Sequence, residues 1–156
     1  MDTSSIEIVR LTFRWQEGLK FFFQDLKKSG DELYFSPHST DETSIEQLFS
    51  SGGRDLYYLL VEEGKVLGYG MLRGWDEGYD IPSLGLAIRS SARGEGLGKL
   101  FMGFLHASAL RRGACKVRLR VHRENNKAVS LYKSLGYDFE EDSMEIDYLV
   151  GFKDLQ

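Results

Sequence analysis

Residues Leu86 to Lys99 read LAIRSSARGEGLGK: an apolar run, three glycines at alternate positions (Gly94, Gly96, Gly98), then the start of a helical pattern. Glycine lets a backbone approach a ligand with its N–H groups exposed, and a helix N-terminus adds unpaired donors and a partial positive charge. Strand, glycine loop and helix together make a cradle for a pyrophosphate. Spacing excludes two such cradles. The dinucleotide pattern GxGxxG requires glycine where Lys99 or Phe101 stands, and a nucleotide P-loop requires glycine at Arg93 and Ser or Thr at Leu100.

The pattern that fits is Q/R-x-x-G-x-G/A, met by Arg93, Gly96 and Gly98. Downstream stand Asn125-Asn126-Lys127-Ala128 and Leu131-Tyr132-Lys133-Ser134-Leu135-Gly136-Tyr137, which follow N-x-x-A-x-x-L-Y-x-x-x-G-F/Y. On these motifs the chain resembles the GCN5-related N-acetyltransferase (GNAT) family, from Leu86 to Phe139.

The resemblance implies acetyl-CoA as co-substrate and direct transfer of its acetyl group to a primary amine. Two parallel strands, around Leu86–Ile88 and Val117–Val121, are expected to splay apart and take the pantetheine arm between them as an added strand. Leu86, Ala87 and Ile88 would contact that arm, with the Leu86 N–H facing the thioester oxygen. Arg93, Gly94, Glu95, Gly96, Leu97, Gly98 and Lys99 would hold the pyrophosphate. Attack by an amine creates an oxyanion and a leaving thiolate, so a fixed donor and an acid are needed. Tyr132 stands where the family places the acid, and Asn125 would anchor either the pantetheine or the turn that delivers Tyr132. The chain departs from the pattern at Pro82, where a glutamate base is often found, and at Ser90, where a proline often stands. Asp80, two residues before Pro82, would share its face if the run is extended and could act as base through water. An amine that deprotonates in bulk solvent needs no base.

Working outward, strands are expected at Ile6–Val9, Leu56–Glu62, Lys65–Arg73, Leu84–Ile88, Lys116–Val121, Tyr137–Glu140 and Glu145–Phe152. Helices are expected at Trp15–Lys28, Ser44–Phe49, Gly98–Arg112 and Asn126–Leu135. Hairpins pair antiparallel and strand-helix-strand crossovers pair parallel. The fold class is therefore α/β, one domain over residues 1–156 with a mixed sheet of about seven strands and about four flanking helices. In the irregular stretch 31–42, where this family often builds its acceptor pocket, Phe35 and His38 are candidates for acceptor binding. Trp75, near the end of the hairpin, is a further candidate for lining the pocket.

The chain has 156 residues, 42% of them hydrophobic and 13% aromatic, which describes a globular chain and excludes disorder. A single cysteine, Cys115, excludes an intramolecular disulfide and a cysteine-based zinc site. His38, His106 and His122 have no mutual ligand spacing, so no metal is expected. The start MDTSSIEIVR lacks a basic region followed by an apolar one, and no apolar run approaches bilayer-spanning length. A cytoplasmic protein without a membrane partner is expected, and a homodimer is left open. A net charge of −4 argues against nucleic acid. Within it, Arg89 to Arg123 holds nine Lys/Arg against the single acid Glu95, which suggests either a confined anionic ligand or a solvated basic surface. The acidic run from Asp138 to Asp147 is either a solvated hairpin or a lure for a cationic amine. A small-molecule acceptor is favoured because no recognition domain is appended. A protein N-terminus or lysine, or an acyl-CoA-binding module without catalysis, are the alternatives.

Overall fold

Glu63 and Gly64 both take positive φ, 48° and 75°, as a two-residue type I′ hairpin turn requires. They join β2 (Leu56–Glu62) to β3 (Lys65–Arg73) in the computed structural model, which describes residues 4–30, 38–49 and 53–156. On one side of this hairpin lies β1 (Ile6–Arg10), antiparallel to β2, and on the other β4 (Ser83–Ile88), antiparallel to β3. Then follow α3 (Leu97–Arg111), β5 (Lys116–His122), α4 (Asn126–Ser134), β6 (Asp138–Glu141) and β7 (Tyr148–Asp154). The seven-stranded sheet has the order β1-β2-β3-β4-β5-β7-β6, and only β4 and β5 pair in parallel. The mixed α/β fold is the one expected from sequence.

The sheet divides two hydrophobic layers. On one face α1 (Gln16–Ser29) and α2 (Glu42–Gln47) pack against Leu59, Val61, Val66, Tyr69, Met71 and Ala87. Helix α1 contributes Leu19, Phe22, Phe23 and Leu26, each worth roughly 1.5–3 kcal/mol of burial, against the ~1 kcal/mol that Gly18 costs a helix. A Cβ at Gly18 would lie 3.1 Å from Val66 Cγ2, so this glycine lets the helix approach β3 closely. On the other face α3 and α4 cover Leu56, Leu60, Leu72, Val117, Leu119 and Val121. There Gly70 makes room for Phe101: a Cβ would meet its ring at 2.6 Å. Trp75, a sequence candidate for the pocket, is instead buried in this second layer, with the Arg112 guanidinium 4.8 Å from its ring centroid.

Two differences from the sequence reading bear on the site. Strand β7 begins at Tyr148 rather than Glu145 because residues before it are drawn into a turn by arginines of β5 and its extension. Asp142 lies 3.0 Å and Glu145 3.3 Å from Arg120, and Arg123 holds Glu141. Those three acids are paired with arginines, while Asp138, Glu140 and Asp147, the rest of the acidic run, are exposed. The second difference is at Asp80: β4 starts only at Ser83, so the extended run that would place Asp80 on its face is a bend.

Candidate active site

Strands β4 and β5 share one registered pair, Ser83 opposite Arg118, where the Arg118 N–H donates to the Pro82 carbonyl at 3.0 Å. Beyond that rung they separate. Which backbone groups face the opening follows from the β3–β4 register. The Arg89 N–H donates to Leu67 O at 2.7 Å, and in an antiparallel ladder alternate residues face the partner strand. Arg89, Ala87, Gly85 and Ser83 therefore turn their N–H and C=O to β3, and Leu84, Leu86 and Ile88 turn theirs to the opening. The Leu86 N–H thus points into the gap, while the Ala87 backbone is spent on β3. The Ile88 carbonyl is taken by Arg93, whose Nε and Nη2 donate to it at 3.1 and 2.9 Å.

The glycine loop runs from Arg93 to Lys99 past the end of β4. Gly94 (φ 83°) and Gly96 (φ 80°) occupy the left-handed region that favours glycine, and a Cβ at either would meet nothing within 4 Å. Here glycine serves backbone conformation and access. The first helical bond of α3 runs from Leu100 N to Gly96 O, so the N–H groups of Leu97, Gly98 and Lys99 have no helical acceptor. Glu95 and Lys99 are exposed and Leu97 is half-buried against the core. These donors, with the positive end of α3, fit a pyrophosphate.

The gap is a cavity of about 370 Å³ that passes through the sheet. Leu86, Asn125 and Tyr132 line it from the side of α4. The Asn125 Oδ1 accepts from the Ala128 N–H at 3.4 Å and caps α4, which fixes the first turn of the helix carrying Tyr132. Burial pushes the Tyr132 phenol up to about 12, so it stays protonated across the neutral range. Its ring packs 5.8 Å from that of Tyr137, whose hydroxyl lies 2.7 Å from His106 Nε2. Burial, with Lys153 adding repulsion, depresses His106 to about 4.

From the opposite face the same cavity is lined by Arg73, Arg118, Arg120, Glu145 and Tyr148. Sequence reasoning left these unassigned: the basic residues alternating through Lys116–Val121 look like the wet face of a strand, and nothing local marks that face as the wall of a gap. Arg73 also lines an adjoining chamber of about 630 Å³ with Arg10, His38, Phe49 and Tyr57. There His38 Nδ1 donates to the Ser39 carbonyl at 2.8 Å, which leaves Nε2 to accept from the Tyr69 hydroxyl at 2.9 Å. Burial lowers the His38 pKa, so the neutral ring is favoured. Phe35, its expected companion, lies outside the described residues. Asp80 borders a third depression, with Glu77 and Tyr79, which meets the gap at Arg73, Ser83 and Arg118.

Fold and site together define an enzyme-like α/β domain built around a splayed pair of strands. The family description "Acetyltransferase (GNAT) family" matches residues 19–137, and the chain belongs to that family. It is 29% identical over 105 residues to an N-acetylaspartate synthetase of Xenopus tropicalis, a match covering 63% of this chain and 36% of that protein. The chain therefore spans about a third of that relative's length. Among solved structures, the fold is similar to a PaiA N-acetyltransferase from Thermoplasma acidophilum in complex with coenzyme A (TM-score 0.75, 20% identity, 96% and 99% of the two chains). It is also similar to the GNAT domain of S. lividans PAT (TM-score 0.81, 14% identity, 96% and 90%).

Proposed function

We propose that the protein transfers the acetyl group of acetyl-CoA to a primary amine of a small molecule within a ternary complex. The observation that carries this reading is the gap between β4 and β5, where Leu86, with its N–H turned away from β3, and Tyr132 line one cavity, and β4 leads on into the glycine loop. The pantetheine arm would lie along β4 and bond Leu86, with Ile88 offering only its N–H. Leu97, Gly98 and Lys99 would bind the pyrophosphate, with Gly94 and Gly96 giving access and Arg93 bracing the loop.

The amine lone pair attacks the thioester carbon, forming the C–N bond, and the oxygen charge that develops is held by the Leu86 N–H. The C–S bond then breaks, and the thiolate takes the Tyr132 proton. The amine's surplus proton leaves to solvent or, through water, to Asp80. The named activity of the N-acetylaspartate synthetase supports a small amine acceptor over a protein one. The reading is tested by calorimetric titration with acetyl-CoA, followed by CoA release with an amine panel. Binding with release supports it. Binding without release from any amine leaves a non-catalytic acyl-CoA module, and no binding removes the cofactor assignment.

A further inference from the structure

Among the described residues that border the gap between β4 and β5, Glu145 is the one carboxylate, and it shares that cavity with Leu86 and Tyr132. Its place along the strands follows from register. Ser83 is level with Arg118; two further residues of β5 advance about 7 Å to Arg120, and three of β4 about 10 Å to Leu86. Arg120 is therefore level with Leu86 to within about one residue. The Glu145 Oε2 lies 3.3 Å from Arg120 Nη2. Arg120 alternates with the core residues Leu119 and Val121, so this carboxylate is on the face of the sheet opposite Tyr132.

The turn that carries Glu145 is held to its surroundings by several bonds. The Tyr148 N–H donates to the Glu145 carbonyl at 3.2 Å. Arg123 donates from its backbone N–H to the Asp147 carbonyl at 2.8 Å and from Nε to the Ile146 carbonyl at 3.1 Å. Arg120 Nε donates to Asp142 at 3.0 Å, so the clamp on the turn does not depend on Glu145 alone. The Glu145 side chain is 57% exposed, which leaves it open to proton exchange with solvent. Other carboxylates near the gap stand farther from Leu86. Glu77 and Asp80 border a depression that meets the gap at Arg73, Ser83 and Arg118, and Ser83 is three residues of strand, about 10 Å, short of Leu86. Asp55 and Asp76 line the adjoining chamber, where both accept from backbone N–H groups and pin loops together.

We infer that Glu145 is the general base of the reaction and takes the surplus proton of the acceptor nitrogen, directly or through one water. This rests on the acetyl-transfer reading above and gives that proton a route other than Asp80. When the amine lone pair forms the C–N bond, the nitrogen carries a positive charge and a proton too many. That N–H bond breaks toward the Glu145 carboxylate as the C=O bond re-forms and the C–S bond breaks, and the thiolate takes the Tyr132 proton. Glu145 then gives its proton to solvent and the Tyr132 phenolate takes one from solvent, so both groups return to their starting states without a further reactant. Acid and base stand on opposite faces of the sheet, each serving a different atom of one tetrahedral intermediate. The Arg120 guanidinium holds the carboxylate in place between turnovers.

The test uses the whole protein with acetyl-CoA, reads CoA release with ethanolamine, glycinamide, L-aspartate and spermidine as acceptors, and follows acetyl-CoA binding by calorimetry. With the acceptor that turns over fastest, Glu145→Gln keeps the size of the side chain and an oxygen for Arg120. It should lower kcat about 10²-fold and leave acetyl-CoA affinity unchanged. Glu145→Ala should be slowed as much and regain at least about fivefold in added formate, but not in chloride of the same ionic strength, because a small carboxylate then replaces the base. A residue that only braced the turn would not respond in this way. Asp142→Asn loosens the same clamp, leaves Glu145 in place and should keep kcat within about a factor of three. Near-parental kcat in Glu145→Gln, a loss in Glu145→Ala that formate does not restore, or an equal loss in Asp142→Asn overturns the inference and leaves the transferase reading standing. Acetyl-CoA binding by the parent protein without CoA release from any amine sinks the transferase reading, and the inference with it.

Discussion

Tyr132 and Arg118 border one cavity from opposite faces of the same sheet, with the β4 backbone at Leu86 between them. On the proposed reading, the thioester would lie beside the Leu86 N–H, and Tyr132 would act on its leaving sulfur.

Replacing Tyr132 by Phe removes the hydroxyl and keeps the ring packed on Tyr137. Turnover should fall by ~10²–10⁴-fold, the usual worth of a positioned acid, with acetyl-CoA affinity nearly unchanged. Steady-state kinetics beside calorimetry on the variant decides this, and unaltered kcat would remove the acid from the mechanism.

Gly96→Val tests the cradle. Valine at φ 80° is strained, and a side chain would project into the open space over the loop. Acetyl-CoA affinity should drop by at least about tenfold while circular dichroism stays native, because the strain of ~1–3 kcal/mol is confined to the loop. Wild-type affinity in this variant would show that the loop does not hold the pyrophosphate.

The pH profile separates the two proton carriers. A phenol at about 12 loses its proton only above that pH, so no descending alkaline limb is expected between pH 6 and 9. Over that range the rate should rise as the acceptor amine deprotonates. Asp80→Asn should leave this profile intact if the amine's proton leaves to solvent, and lower its plateau if the carboxylate takes it.

His106 makes a stability prediction. Its folded pKa of about 4 lies below the unfolded value near 6.5, so below pH 6.5 the unfolded state binds the extra proton. Stability should fall from pH 6.5 toward 4 and no further on this account. Allowing for partial exposure, the loss is roughly 1–2 kcal/mol. His106→Gln should flatten this slope in urea titrations across the range, and an unchanged slope would assign the acid sensitivity elsewhere.

Packing at Gly70 gives a control far from chemistry. A Cβ 2.6 Å from the Phe101 ring forces the helix or the ring to move, so Gly70→Val should cost about 1–3 kcal/mol and lower the melting temperature.

Where local chemistry fixes geometry, the sequence was informative. From sequence, residues 62 to 65 join two hairpin strands and Gly94 to Gly98 form a loop leading into a helix, and both stand there, with Gly64, Gly94 and Gly96 at positive φ. The arginine wall was not legible because it is assembled across strands: Arg73 and Arg118 are 45 positions apart and meet only through Ser83. Asp80 would share a face with the strand only if the run were extended, and β4 begins at Ser83, after a bend and Pro82, whose carbonyl holds β5.

The single rung at Ser83 and Arg118 also has a mechanical meaning. With one shared pair, the sheet is two half-sheets, β1 to β4 and β5 to β6, that depend on α3 and α4 for their registry. A pantetheine lying along β4 would act as the absent strand and fasten the halves, so its binding becomes folding energy. At 100 times its dissociation constant a ligand adds about 2.7 kcal/mol. The empty domain is therefore the softer object, its seam the place where amide exchange should begin.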